Sequence, residues 1–593
     1  MKRSLIAIFA AALVLAAGSP RLVSMEIMKL SEVRVGMTGT GRTVFAGTEK
    51  GAFDFKVLGF VEKFSPGKNL IIVELISPHL EGSGVVAGMS GSPVYIDGKL
   101  VGAVAYGFNF SRKPIGGVTP IEDILAAAEN RSAGYTVDIS NIQMEFDPES
   151  TARIGTLIRE ELVRRTTTSP VPEITPIRLV GASRGIHADA MGVLDAMFAP
   201  VSALQVTRSL DRTPPPDELF RIHPADAAAV PLIRGDFEYS ASGTVTHVDG
   251  NKVYLFGHPF FNLGTVNFPL HKAEVVTVVP SYQSSFRLTS SQNQIGTVIQ
   301  DRFSCLQAEL GDGPYMIPMK VFLKRRNRSF NLEMIDHPLL TPALTAIALE
   351  NIFISEFQQY GFNSIQVQGR LFIEGEPNIV IDDLFSGTSA YSEFSNLIMA
   401  IQYFLMNNPE RRIKIQKLDF EINGSEVVRR TRLENVILDK NVYAPGETIR
   451  VKLHFRNERG NLVTDETGLE APSLKPGSEF YILVGDKNEI IRFDSKNNKA
   501  EYFPARLTHL VRAINNLRKN NRLYFKIMTS TSGLYVSGFE YSQLPPSMKP
   551  VFEYNTESSN QARIRYSTLM EYQMELPAVI NGRKLFKLKI KER

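Results

Sequence analysis

The sequence predicts a mainly β, multidomain protein, and three observations support this prediction. The chain has 593 residues, which is too long for a single hydrophobic core. Short apolar runs of strand length recur along it, separated by turn sequences such as SPGKN, IDGK and VDGN. The composition, 43% hydrophobic and 22% charged, is that of an ordinary globular protein.

The first 24 residues have the pattern of a secretory signal peptide. Lys2 and Arg3 precede the apolar run LIAIFAAALVLAAG, and small residues follow it. The run is short for a membrane-spanning helix, which needs about 20 apolar residues. We expect cleavage between Ala17 and Ser24 and a mature protein in the periplasm or outside the cell. An uncleaved anchor is the alternative.

The rest of the chain divides into six predicted regions. The first region closes with a helix in GVTPIEDILAAAEN, for which Thr119 is the expected N-cap, Pro120 the first helical residue and Glu122 the capping-box partner. The predicted regions are a β-barrel over 25–128, an α/β insert with linkers over 129–228, a second β-barrel over 229–335, a helical segment over 336–414, an immunoglobulin-like β-sandwich over 415–465 and a terminal α/β domain over 466–593.

The stretch GMSGSP holds Ser90 between glycines and is followed by a hairpin. This pattern either presents a nucleophile or forms a tight turn, and a nucleophilic serine needs a base. Among nine histidines, His258 has the most constrained setting, at a strand end in VYLFGHPF between Gly257 and Pro259. His79 is the one histidine that precedes the serine at a plausible distance.

Together, GMSGSPVYIDGKLVGAV and SGTVTHVDGNKVYLFGHPF resemble the SpoIVB-type serine peptidases, the sporulation stage IV B family. The resemblance covers roughly 35–125 and 229–330. It implies two trypsin-like, six-stranded barrels with a cleft between them, Ser90 as nucleophile and His258 as base. The amides of Gly88 and Ser90 would form the oxyanion hole of an acyl-enzyme mechanism. A narrow protein substrate, or self-cleavage, is expected.

The sequence departs from that family in its order, because the serine unit here precedes the histidine unit, as in a permuted chain. Chain order is no physical objection, since a triad is defined by geometry. The family also has an aspartate shortly upstream of its serine, where this sequence has Ser77. No PDZ domain precedes the peptidase unit.

The third member of a triad is therefore open. Asp301 follows His258 in the same unit and is the first candidate, with Asp236 as the alternative acid. Either carboxylate can instead be a strand-end residue paired with its neighbour, Arg302 or Arg234. A serine–histidine dyad is a further alternative.

Other function classes find little support. The net charge of +4 is small and no basic run suggests nucleic acid. We expect no cofactor and no metal, and we expect the single cysteine, Cys305, to be a small buried strand residue. The alternative to an enzyme is a catalytically inactive, peptidase-like envelope protein that binds peptides or scaffolds partners. Under either hypothesis the C-terminal domains are expected to dock a protein partner.

Overall fold

The computed structural model is mainly β, with several sheets and six α-helices in the part of the chain it describes. The predicted multidomain β architecture is confirmed at this level. The predicted signal peptide lies outside the described residues. The described ranges are 26–65, 68–108, 111–129, 146–166, 174–177, 179–187, 201–205, 221–281, 285–357, 363–497, 507–536, 539–541 and 561–592.

Six strands and one helix form the first β unit. The strands pair in the circuit β1–β2–β3–β6–β5–β4, and β4 pairs back to β1. Alternate apolar side chains from these strands fill one core. The elements are β1 (Thr38–Ala46), β2 (Glu49–Ser65), β3 (Lys68–Ile76), β4 (Ser92–Ile96), β5 (Lys99–Phe108), β6 (Ile115–Pro120) and α1 (Ile121–Glu129).

The predicted cap of α1 is wrong. Thr119 and Pro120 belong to β6, and the Thr119 hydroxyl donates instead to the Gly257 carbonyl at 2.7 Å. The Glu122 carboxylate accepts from the Leu30 amide at 2.8 Å rather than closing a capping box. These two side chains bond to segments that are distant in sequence. Capping patterns depend only on neighbouring residues, so they could not show these bonds.

The region predicted as an α/β insert is described in part. It contains the helix α2 (Pro148–Thr166) and the short strands β7 (Ile174–Pro176), β8 (Leu179–Arg184) and β9 (Val201–Gln205). β7 pairs antiparallel with the end of β5, so it extends the first sheet.

A second β unit repeats the pairing pattern of the first. Its strands pair in the circuit β10–β11–β12–β15–β14–β13, and β13 pairs back to β10. β8 joins its edge by pairing with β11. The strands are β10 (Ala227–Gly235), β11 (Glu238–Asp249), β12 (Lys252–Leu255), β13 (Gly264–Val279), β14 (Phe286–Arg302) and β15 (Cys305–Leu310).

Backbone hydrogen bonds connect the two units directly. Gly47 and Val275 exchange both of their amide bonds, at 2.6 and 3.0 Å. Lys50 and Asp226 form a half-buried ion pair at 3.0 Å across the same junction. The two units therefore meet through main-chain pairing as well as through side chains.

The second sheet continues into a helix-covered extension. The strand order runs β19–β18–β20–β16–β17–β10, and α3 is buried along most of its length. The region predicted as helical, 336–414, thus also carries two strands. The elements are β16 (Met316–Leu323), β17 (Arg328–Ile335), α3 (Leu340–Glu356), β18 (Asn363–Ile373), β19 (Ile379–Gly387), α4 (Ala390–Met406) and β20 (Ile415–Ser425).

The C-terminal strands form two further sheets around one core. β29, near the C-terminus, pairs with β21, so this sheet has strands on both sides of the predicted division at 465. The elements are β21 (Arg430–Leu438), β22 (Val442–Tyr443), β23 (Thr448–Asn457), β24 (Leu462–Glu470), β25 (Glu479–Gly485), α5 (Lys487–Asn497), α6 (Leu507–Asn515), β26 (Arg522–Val536), β27 (Phe539–Tyr541), β28 (Gln561–Glu575), β29 (Val579–Asn581) and β30 (Arg583–Ile590).

β20, which begins at the predicted start of the sandwich, pairs with β16 and β18 of the large sheet. The helix α6 is amphipathic, and its apolar stripe packs into the core of the helix-covered extension. None of the helices in the described ranges is long and apolar enough to cross a membrane.

Candidate functional site between the two β units

Ser90 lies in a tight loop between Val86 and β4. Gly88 and Gly91 adopt φ angles of +92° and +94°, which favour glycine. A Cβ atom on Gly91 would lie 2.0 Å from the Thr244 carbonyl oxygen and 2.6 Å from the Phe256 nitrogen. The loop therefore presses its backbone against the second unit, and glycine is required at this contact.

Two amides of this loop differ from their neighbours. The amides of Gly88 and Ser90 have no hydrogen-bond acceptor among the described residues. Main-chain amides that alternate in this way on one loop can donate to a negatively charged oxygen. The neighbouring amides have acceptors: Ala87 donates to Ser285 O at 2.8 Å, Met89 to Val86 O at 3.0 Å, Gly91 to Val104 O at 2.8 Å and Ser92 to Met89 O at 3.0 Å.

The sequence GTVT on β11 holds the serine loop in place. The Thr244 amide donates to the Ser90 carbonyl at 2.8 Å, and its hydroxyl donates to the Gly88 carbonyl at 3.2 Å. The Thr246 hydroxyl donates to the Gly91 carbonyl at 2.8 Å. Sequence reasoning placed this motif with the histidine, whereas the structure shows that its side chains contact the serine loop.

His258 follows a strained turn at the end of β12. Phe256 and Gly257 both have φ near +71°, and Phe256 is fully buried in this left-handed conformation. Such a residue typically costs about 1–3 kcal/mol and persists only where its surroundings hold it. Its ring lies against Gly243, where a Cβ atom would come within 2.5 Å of it. The turn is thus held between β11 and the hydrogen bond from Thr119 to Gly257.

The His258 ring is buried, with 2% of the residue exposed. Its Nδ1 lies 2.8 Å from the Pro259 carbonyl, which can only accept, so Nδ1 carries the proton and Nε2 the lone pair. Burial lowers the pKa of His258 to about 4, opposed by the carbonyls of Pro259 and Ile177. The imidazole is therefore neutral at pH 7 and is in the protonation state of a general base.

The structure brings Ser90 and His258 to the same short stretch of β5. Gly91 donates to the Val104 carbonyl, and Gly257 packs against Ala103 and Ala105. Ser90 Oγ and His258 Nε2 are both buried, and neither has a hydrogen-bond partner among the described residues. They consequently do not bond to each other in this conformation, and proton transfer requires a closer approach.

Asp301 is positioned to order the turn after His258. Its carboxylate accepts from the amides of Phe260 and Phe261, each at 2.8 Å, and from Leu263 at 3.2 Å. Burial raises the pKa of Asp301 to about 6, and these amides oppose the rise. No described bond joins Asp301 to His258, because the Pro259 carbonyl holds Nδ1.

Asp236 lies in an exposed turn between β10 and β11. Its carboxylate accepts from the Asn331 amide at 2.6 Å, and Arg234 pairs with Glu333 at 2.6 Å rather than with Asp236. Asp236 precedes Thr244 by eight residues, roughly 25 Å along an extended chain. The alternative acid is therefore far from the serine loop.

Arg287 is a site residue that sequence reasoning missed. It is 1% exposed and its amide donates to the Ala87 carbonyl at 3.1 Å. Its Nη2 donates to the hydroxyls of Thr43 at 2.7 Å and Thr244 at 3.0 Å, while Nε and Nη1 have no partner among the described residues. Burial lowers the pKa of Arg287 to about 9. A single arginine in an alternating strand carries no sequence signal for such a position.

The remaining candidates lie outside this cluster. His79 is exposed and stacks on Phe45 at 4.5 Å between ring centroids. The prediction that Cys305 is a buried strand residue is confirmed, and burial raises the pKa of its thiol to about 12. A neutral thiol of this kind is a poor nucleophile.

The fold and the site have two defining features. The strands of both β units pair in the same order, and a serine loop and a neutral histidine lie where the two units meet. Residues 8–125 match the family model described as SpoIVB peptidase S55. This match covers about a fifth of the chain and supports a serine peptidase of the SpoIVB type. The match includes Ser90 and ends before His258. No curated protein and no solved structure matches the chain.

Proposed function

We propose that the protein is a serine endopeptidase of the SpoIVB type with Ser90 as nucleophile and His258 as general base. The observation that carries this proposal is a pair of amides, those of Gly88 and of the nucleophile Ser90, that have no acceptor in the part of the chain that the structure describes. These are the amides that an oxyanion hole needs. The family match over the serine unit supports the same conclusion.

In the proposed mechanism, Ser90 Oγ attacks the carbonyl carbon of a peptide bond and passes its proton to His258 Nε2. The amides of Gly88 and Ser90 donate to the oxygen that becomes negative, an interaction typically worth 10²–10³ in rate for one donor. The C–N bond then breaks as His258 returns the proton to the leaving amine. Water hydrolyses the acyl-enzyme with the same base.

The proposed catalytic unit is a serine–histidine dyad. The Pro259 carbonyl takes the orienting position that a carboxylate occupies in a triad, since it holds Nδ1–H at 2.8 Å. Asp301 contributes by ordering the turn from Phe260 to Leu263, and Arg287 by fixing the Thr244 hydroxyl against the serine loop.

The two β units are proposed to be trypsin-like, six-stranded barrels. Their strands pair in the same order, first–second–third–sixth–fifth–fourth, and the circuit closes in both. The lysine–arginine start and apolar run at the N-terminus support a periplasmic or secreted protein. A protein substrate follows from the peptidase class, and the C-terminal sheets are proposed to dock an envelope partner.

One observation favours the second candidate, an inactive peptide-binding relative. No carboxylate contacts His258 among the described residues, and its Nε2 does not reach Ser90 Oγ. Covalent labelling of Ser90 separates the two candidates.

The test is labelling of the purified mature chain with a fluorophosphonate probe, mapped by mass spectrometry. We expect the label on Ser90, its loss in Ser90→Ala, and at least a 100-fold slower rate in His258→Gln. Ser111→Ala, at a surface turn, is the matched control and should label at the wild-type rate. A label that persists in Ser90→Ala, or none on any form of the folded chain, contradicts the peptidase proposal.

A further inference from the structure

The segment 174–177 lies beside the candidate site as an added strand. It pairs antiparallel with the end of β5, with Tyr106 opposite Pro176 and Phe108 opposite Ile174. The Ile177 amide continues the pairing by donating to the Ala105 carbonyl at 2.9 Å. This stretch of β5 directly follows Val104, whose carbonyl accepts from the serine loop.

Two isoleucine side chains anchor this segment. Ile177 is 5% exposed, and its Cγ1 lies 3.8 Å from the position that a Cβ atom on Gly107 would take, next to Val85. Ile174 is 3% exposed and packs in a cluster with Tyr106 and Phe64. Thr175, between them, is half-buried. The two anchors are three residues apart, so their side chains lie on opposite faces of the strand, each in a different apolar cluster.

Ile177 and the turn before His258 meet at the same residue of β5. The Ile177 amide donates to the Ala105 carbonyl, and Gly257, which precedes His258, lies against the Ala105 side chain. The Ile177 carbonyl also opposes the fall in the His258 pKa. An extended chain that pairs with a sheet edge beside the serine loop lies where a bound peptide strand would lie. Ser90 is fully buried in this state and does not bond to His258, so the occupied site is closed.

We propose that Ile174–Ile177 is an internal pseudosubstrate bound in the peptide site of β5, and that this site takes extended peptides with a branched aliphatic residue at the position of Ile177. The expected effect on Ser90 labelling rests on the proposed function. The expected binding of a peptide strand to β5 does not require catalysis. Displacing the segment opens the site to a probe and to peptides in solution.

The test compares Ser90 labelling by the fluorophosphonate in the full mature chain. Ile177→Asp places a charge among aliphatic side chains, and we expect at least tenfold faster labelling. Ile437→Asp makes the same change at an isoleucine that is 46% exposed in β21 of the C-terminal sheet, and it should stay within twofold of wild type. Ile177→Ala removes the anchor without a charge, should fall between them, and serves if the aspartate variant does not fold.

A second readout does not depend on catalysis. In a Ser90→Ala background, a fluorescein-labelled peptide EITPIRL should bind the Ile177→Asp protein, measured by anisotropy, and should bind at least tenfold more weakly without that change. The peptide EITPDRL is the control and should not bind. Equal labelling rates together with absent peptide binding would overturn the inference. Peptide binding with no labelling of any variant would instead uphold the strand site and reject the peptidase.

Discussion

Replacing Arg287 with methionine separates function from stability at this site. Burial lowers the arginine pKa from 12.5 to about 9, and at 1.36 kcal/mol per unit holding the charge costs about 5 kcal/mol. Its bonds to the Thr43 and Thr244 hydroxyls return about 1.5–3 kcal/mol each. The two contributions nearly cancel. An apolar side chain of similar length should therefore leave stability unchanged or raise it by about 1–4 kcal/mol.

The same replacement should slow Ser90 labelling at least tenfold, because Thr244 loses the donor that fixes its hydroxyl against Gly88. Stability is read as the opening free energy of the β4–β5 hairpin, from native-state hydrogen exchange of peptides covering 92–108. Arg287→Lys keeps the charge without the planar fork and should give intermediate labelling. The reasoning is refuted if Arg287→Met lowers the opening free energy by more than about 2 kcal/mol while labelling stays at the wild-type rate.

Four further predictions test the rest of the site. Thr244→Val should lower the opening free energy of the serine loop by about 2–4 kcal/mol, by hydrogen exchange, because two hydrogen bonds are lost, whereas Thr244→Ser should retain it. Asp301→Asn should lower the melting temperature and slow labelling without moving the His258 midpoint, since at least one of three amides loses its acceptor; a moved His258 midpoint would assign Asp301 a direct role at His258. Because the His258 pKa is lowered to about 4, labelling of Asp301→Asn should stay flat from pH 8 to 5 and halve near 4, whereas the wild type should also lose rate near pH 6, where Asp301 takes up a proton; a His258 midpoint near 6.5 would contradict this geometry. The same depressed pKa means that His258 contributes stability above pH 6.5 that is lost as the pH falls towards 4, about 3 kcal/mol in chemical unfolding.

The sequence was informative where the determinants are local. The glycines around Ser90 and the Gly–His–Pro turn at His258 indicate backbone conformations that one loop requires. The short apolar runs predicted the strands of the two β units. Each of these signals depends on neighbours within a few residues.

The remaining features depend on contacts between distant segments. Thr244 bonds a loop 156 residues away, and Thr119 bonds Gly257 138 residues away, so neither role is visible in a local pattern. Asp301 follows His258 in the same unit, as the first candidate acid should, but its carboxylate accepts hydrogen bonds from three amides of the turn after His258. The segment from Ile174 resembled a linker because proline and threonine surround it, and its pairing with β5 required the fold.

The long separation between the serine loop and Thr244 delays the maturation of this loop during synthesis. The hydroxyl and amide that hold the Gly88 and Ser90 carbonyls are 156 residues downstream of Gly88. At about 5–20 residues per second, this part of the chain is made roughly 8–30 s after the loop itself. A nascent or truncated chain that ends before β11 therefore contains Ser90 but lacks Thr244, which holds the serine loop. The time needed to synthesise the intervening residues sets the earliest moment at which this loop can reach its final conformation.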